Sequence, residues 1–166
     1  MTFTLNKISL ETFELENISH NLLIENFNHE NLRFISSIEE HLKQNNTSKE
    51  PPFGMAYIIR SDHKIVGYFY ISPIKNEKVE LEYAILKEER GKGYSSLILK
   101  EITNYLCSFQ NIKELYLDID PSNSRSINCA LSADYYPDYD DYENKHYQGK
   151  LLFRKENSNY ISKRRK

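Results

Sequence analysis

The chain has no tryptophan, two cysteines, and only five glycines and five prolines in 166 residues. Cys107 and Cys129 form no C-x-x-C pair and no signal-like segment precedes them, so free thiols in a reducing cytoplasm are expected in place of a disulfide framework. No apolar run approaches the length of a membrane span. Neither sign of charge dominates, since 22 Lys and Arg face 24 Asp and Glu for a net charge of −2, and this removes nucleic acid as the default partner. The five histidines, His20, His29, His41, His63 and His146, lack metal-ligand spacing, so no metal is expected.

With glycine so scarce, two of them one residue apart are informative. Gly91 and Gly93 lie in Glu88-Glu89-Arg90-Gly91-Lys92-Gly93-Tyr94-Ser95, between two runs of different period. Upstream, over Val79 to Leu86, Leu81, Tyr83 and Ile85 alternate with Glu80, Glu82 and Ala84, as on a strand with unlike faces. Downstream, Tyr94, Leu97, Ile98, Ile102, Tyr105 and Leu106 recur at steps of three and four, as on the buried face of a helix over 94–108. Glycine admits a close-approaching ligand, and the first N–H groups of a helix are unpaired at its positive dipole end. Such a turn suits a phosphate.

Two common phosphate fingerprints are excluded, because neither G-x-G-x-x-G nor G-x-x-x-x-G-K-[ST] occurs. The segment Ile85 to Ser95 resembles instead the acyl-CoA loop of the GNAT N-acetyltransferase superfamily, with its R-G-x-G-[IVY]-[GA] pattern. Further along, Ile112 to Ile119 alternates as a second strand. Asp120-Pro121-Ser122-Asn123-Ser124-Arg125-Ser126 then resembles the D-P-x-N-x-x-S turn of the ribosomal-protein-acetylating branch. Upstream, Tyr57 to Tyr68 resembles the superfamily's strand hairpin ending in I-G-Y. The likeness runs from about residue 53 to 155. The sequence departs from the pattern in three places: Glu88 replaces a Gln or Arg, Ser95 replaces a Gly or Ala, and Ala133-Asp134-Tyr135 stands where relatives often carry L-G-F.

The resemblance implies an α+β fold: a mixed, mostly antiparallel central sheet flanked by helices, with a splayed parallel strand pair at the acyl-CoA site. It implies acetyl-CoA as acyl donor and no metal. The backbone of Ile85 and Leu86 would pair with the pantetheine arm, and Arg90, Gly91, Lys92, Gly93, Tyr94 and Ser95 would hold the pyrophosphate. Asn123 and Ser126 would complete the cofactor side, although Asn123 equally suits a helix N-cap. A glutamate on the thioester strand, Glu82, would act as base, its plain alternative being an exposed sheet-face carboxylate. Many relatives carry a tyrosine acid seven residues after the asparagine. That position is Ala130, which leaves the role vacant or filled by Tyr135, Tyr136 or another tyrosine of the neighbouring segment.

The length suits one acyltransferase domain over 1–166, able to bury about two-thirds of its unfolded surface. Within it, 1–52 is an acceptor-side region, 53–155 the core and 156–166 a flexible basic tail. Thr2 to Ile8 suggests a first strand. Leu22, Leu23 and Phe27, then Leu32, Phe34, Ile35, Ile38 and Leu42, suggest two weak amphipathic helices, and residues 43–52 suggest a loop. Asp134 to Glu143 holds five acids, four tyrosines and no base, a composition that attracts cations or simply makes a solvated acidic loop. The expected acceptor is therefore an amine, a polycation or basic peptide among the candidates, with no nucleic acid, no membrane and a homodimer left open. The alternative is a catalytically degenerate acyl-CoA-binding sensor or interaction module.

Overall fold

A computed structural model describes residues 7–18, 40, 52–138 and 149–162. They divide into two units: Met1–Pro73 with Tyr83–Lys92, and Ile74–Glu82 with Gly93–Lys166.

In the first unit, β1 (Lys7–Ser9) pairs antiparallel with β2 (Glu14–Asn17), which pairs antiparallel with β3 (Met55–Ser61). Strand β2 falls between the expected first strand and the expected helices over 22–42, where the sequence reading placed no strand. Phe13 and Leu15 are buried while Glu14 and Glu16 stay partly exposed, an alternation too short to stand out in a polar stretch. The expected helices over residues 22–42 and the first residues of the expected strand, Thr2 to Asn6, lie outside the described residues. Strand β3 turns into β4 (Lys64–Ile71) through Asp62 and His63, both at positive φ, as a two-residue hairpin turn of matching twist requires. Tyr57, Ile59, Phe69 and Ile71 bury one face of this hairpin. Ala56, Ile58, Tyr68 and Tyr70 bury the other, in a cluster with Ile18 and Leu86.

Strand β5 (Lys78–Ile85) ends in the first unit and begins in the second. Its end closes tightly on β4 at Gly67. A Cβ there would press into the Ala84 carbonyl oxygen and sit 3.1 Å from the Ile85 Cα. Its beginning pairs in parallel with β6 (Glu114–Ile119), in a register that covers Lys78 to Glu80 opposite Glu114 to Tyr116. On its other side β6 pairs antiparallel with β8 (Leu151–Glu156), which pairs antiparallel with β7 (Tyr136–Asp138). All these pairings are antiparallel except that of β5 with β6, so the sheet is mixed as expected. Two helices accompany it among the described residues, α1 (Tyr94–Leu106) and α2 (Ser124–Ser132).

Helix α1 buries Ile98, Leu99, Ile102, Thr103 and Leu106. The face is rotated from the sequence reading, because Leu97 is exposed and Leu99 takes the core position.

Candidate functional site

The segment that follows β5 is shaped by backbone bonds within the first unit. The Leu86 N–H donates to the Val66 carbonyl on β4 at 2.9 Å, and the Leu86 carbonyl accepts from the Glu89 N–H at 2.9 Å. The second bond closes a single 3₁₀ turn over Lys87–Glu89, which folds the chain back along β4. Both Leu86 backbone groups are therefore bonded inside the chain. Successive strand residues aim their backbone groups to opposite sides, so the Ile85 carbonyl faces away from β4. There it accepts a hydrogen bond from Arg90 Nε at 3.2 Å.

The 3₁₀ turn separates two adjacent acids. Glu88 stays exposed, whereas Glu89 is buried with its carboxylate between two lysines. Lys64, the first residue of β4, pairs with one oxygen, and Lys92 Nζ donates to the other at 2.8 Å. These two ammonium groups, Lys64 first, hold the Glu89 carboxyl below the usual carboxylate range against the opposing effect of burial. Gly91 sits between Arg90 and Lys92 at φ +84°, a left-handed conformation that costs any residue with a Cβ.

In the second unit Gly93 is the N-cap of α1 at φ +79°, and no side chain caps the helix. The first turn carries no acid. A Cβ built on Gly91 or Gly93 would meet nothing within 4 Å, so the ground above both glycines is open. Open space, positive dipole end and absence of carboxylate fit a phosphate group. Tyr94 and Ser95 are half-buried in that first turn.

Asn123 caps α2, its Oδ1 accepting from the Ser126 N–H at 3.2 Å, so both residues serve the helix terminus. Asp120 shapes the preceding turn: its Oδ1 accepts from the Ser122 hydroxyl at 2.7 Å and the Ser122 N–H at 2.9 Å, bonds that hold its carboxyl below the usual range. Ser96 Oγ of α1 donates to Cys129 Sγ of α2 at 3.3 Å.

Among the residues considered for proton transfer, Glu82 is half-buried on β5, beyond the last residue paired to β6. Tyr135 is buried, and its hydroxyl lies 2.7 Å from Thr103 Oγ1 on α1. Tyr136 is 45% exposed and donates to Glu156 Oε1 at 3.4 Å. Burial, then the carboxylates of Glu156 and Glu114, push its hydroxyl pKa up. Ala130 is fully buried within α2. Asp138, the last described residue of the acidic stretch before Gly149, has Oδ2 2.7 Å from Arg154 Nε. Tyr139 to Glu143 lie outside the described residues.

Sequence reasoning missed Glu89 and Lys64. The run Lys87-Glu88-Glu89-Arg90 has the composition of a solvated loop, and nothing in it distinguishes the inward acid from the outward one. The available signal was the spacing of Glu89 from Lys92, three residues, which suits an ion pair across a turn.

The family model for the acetyltransferase (GNAT) domain matches residues 24–135. No curated protein matches the chain by sequence. Among solved structures, an acetyltransferase from Agrobacterium tumefaciens is similar with a TM-score of 0.65 at 12% identity, covering 93% of this chain and 96% of that one. A spermidine N-acetyltransferase from Vibrio cholerae in complex with CoA and spermine gives 0.66 at 12% identity, covering 91% and 99%. The ribosomal L7/L12 α-N-protein acetyltransferase RimL in complex with CoA gives 0.62 at 15% identity, covering 91% and 98%. At these identities the structural likeness establishes the fold, and the family match over more than half the length establishes membership. The chain belongs to the GNAT acetyltransferase family.

Proposed function

We propose that this protein transfers an acetyl group from acetyl-CoA to a primary amine by direct attack, the whole chain acting as one acyltransferase domain. The observation that carries the reading is the pair Gly91 and Gly93, both at left-handed φ under open space, leading into a helix without side-chain cap or first-turn acid. Backbone N–H groups of residues 90–95 would hold the pyrophosphate, with Arg90 and Lys92 adding charge. Ile85 would offer the strand edge to the pantetheine arm, sharing the carbonyl that Arg90 now holds. Asn123 and Ser126 would approach the cofactor from the cap of α2.

Acetyl-CoA supplies an acyl group already activated by its thioester. The chain must then take a proton from the amine; a lysine-type amine, with a pKa of about 10.4, leaves little free base at neutral pH. Glu82 is proposed for that task. The Tyr135 hydroxyl is engaged with Thr103, which leaves Tyr136 or solvent to protonate the departing thiolate. No acyl-cysteine is required. Burial pushes the Cys107 thiol up, away from the thiolate form a nucleophile needs, and nearby Lys155 only partly opposes this.

For the acceptor, the similar spermidine and ribosomal-protein acetyltransferases support an amine, and the acid- and tyrosine-rich stretch 134–143 supports a polycation or basic peptide. Asp138 shares Arg154 with Glu114, so cation attraction rests mainly on the other four acids of the stretch, Asp134, Asp140, Asp141 and Glu143. The buried Ala130, with the neighbouring Tyr135 hydroxyl engaged in the core, favours a second reading: a member that binds acyl-CoA without turning it over. A thermal-shift titration with CoA followed by amine-dependent thiol release across a panel of amines separates the two. The first reading requires both signals; the second requires the shift alone.

A further inference from the structure

Lys92 lies between the two loop glycines, yet its ammonium is bonded to a buried carboxylate. Glu89 is 1% exposed, whereas its partners Lys64 and Lys92 remain 65% and 49% exposed at the side chain. A single buried carboxylate with one lysine would be matched. Here two ammonium groups share it, and one of them stands beside the glycines.

The geometry makes this arrangement specific. Leu86 is pinned to Val66 on β4, the 3₁₀ turn brings Glu89 back over the start of that strand, and Lys64 is two residues before Val66. Lys64 thus comes from a rigid hairpin, while Lys92 comes from the loop itself. We propose that Glu89 and Lys64 are positioning residues for the phosphate-binding loop: Glu89 holds Lys92 in the resting loop, and Lys64 keeps the carboxylate matched when Lys92 turns to a bound diphosphate. Without Lys64, the turn of Lys92 toward the ligand would leave Glu89 buried and uncompensated, a costly state. With it, Lys92 exchanges one anionic partner for another. Neither Glu89 nor Lys64 needs to touch the ligand. The proposal rests on the acyl-CoA reading of the loop.

The test uses Glu89→Gln, Lys64→Met, Lys92→Met and the double lysine variant of the full chain. Two readouts apply, calorimetric titration with CoA and amide hydrogen exchange of the protein without CoA. Glu89→Gln is expected to speed exchange at Arg90 to Gly93 while α1 and β4 are unchanged. It is also expected to weaken CoA about tenfold, although it removes a negative charge near the phosphates. Lys64→Met is expected to weaken CoA about fivefold in the wild-type background and to have no further effect once Lys92 is Met, the non-additivity of residues acting through one carboxylate.

Equal or tighter CoA binding by Glu89→Gln, unchanged loop exchange, or additive lysine effects would overturn the proposal. Should Glu89→Gln not fold, the two exposed lysines decide it by their additivity. A wild-type protein that binds no CoA overturns the acyl-CoA reading instead, and with it the turn of Lys92; amide exchange then still decides whether Glu89 orders the loop.

Discussion

The hydroxyls of Tyr135 and Thr103 meet 2.7 Å apart in the core of the second unit, joining α1 to the segment that leaves α2. Both residues are buried. Tyr135→Phe therefore removes a core hydrogen bond and is expected to lower stability by about 1–2 kcal/mol. Turnover should stay within about threefold of wild type if, as proposed, the hydroxyl bonded to Thr103 holds the fold and another group protonates the thiolate. Chemical denaturation and steady-state kinetics on the same preparation check both statements. A large loss of kcat with stability intact would return Tyr135 to the catalytic group.

Gly93 carries a conformational and a spatial demand at once. Valine at φ +79° brings strain of about 1–2 kcal/mol, and its side chain enters the open space above the loop. Gly93→Val should fold with reduced stability and lose the stabilisation that CoA gives the wild type. At ~100 times the dissociation constant that stabilisation is about 2.7 kcal/mol, readily seen in a thermal shift. Undiminished CoA protection in the variant would remove the loop from the binding site.

The strand, glycine turn, helix and second strand were legible because each has a sustained period or a residue with few uses. Strand β5 was expected to end at Leu86 and ends at Ile85, and α1 begins at Tyr94 as expected. What was not legible depends on direction. The 3₁₀ turn that sends Glu89 inward and Glu88 outward involves two identical neighbours, and only the backbone bond to Leu86 decides between them. Leu97 and Leu99 on α1 posed the same problem, since a helix face is fixed by what packs on it. Strand β2 escaped because four residues carry too little alternation to outweigh a polar surrounding.

Glu89 also gives the molecule a particular acid response. Its folded pKa lies below the unfolded value of 4.5, so its contribution to stability is present above 4.5 and is lost as pH falls through the folded value. Asp120 is shifted the same way and would blur a wild-type curve taken alone. The stability difference between wild type and Glu89→Gln, measured by urea unfolding from about pH 6 to about pH 3, should therefore shrink with acid. A difference independent of pH would show that the Glu89 charge is not matched by Lys64 and Lys92.

Gly67 is expected to tolerate nothing larger. Gly67→Ala pushes a methyl group into the Ala84 carbonyl and the Ile85 Cα, and although the Ile85 side chain it also meets could move, these backbone atoms cannot yield by a rotamer change. Overpacking of this kind costs typically about 1–3 kcal/mol, and the displaced strand end carries Ile85. Denaturation should report the loss, and CoA affinity should fall with it. A variant as stable as wild type would mean that β4 and β5 approach less closely than described.

The central claim is that this chain moves an acetyl group from acetyl-CoA to an amine. Incubating the protein with isotope-labelled acetyl-CoA and a panel of polyamines, basic peptides and singly charged amines, then weighing the acceptors by mass spectrometry, tests it directly. The account predicts label on at least one amine nitrogen, dependent on intact Gly93, with polycations favoured and no labelled cysteine on the protein. CoA binding with no labelled amine, or label that first accumulates on Cys107 or Cys129, would contradict it.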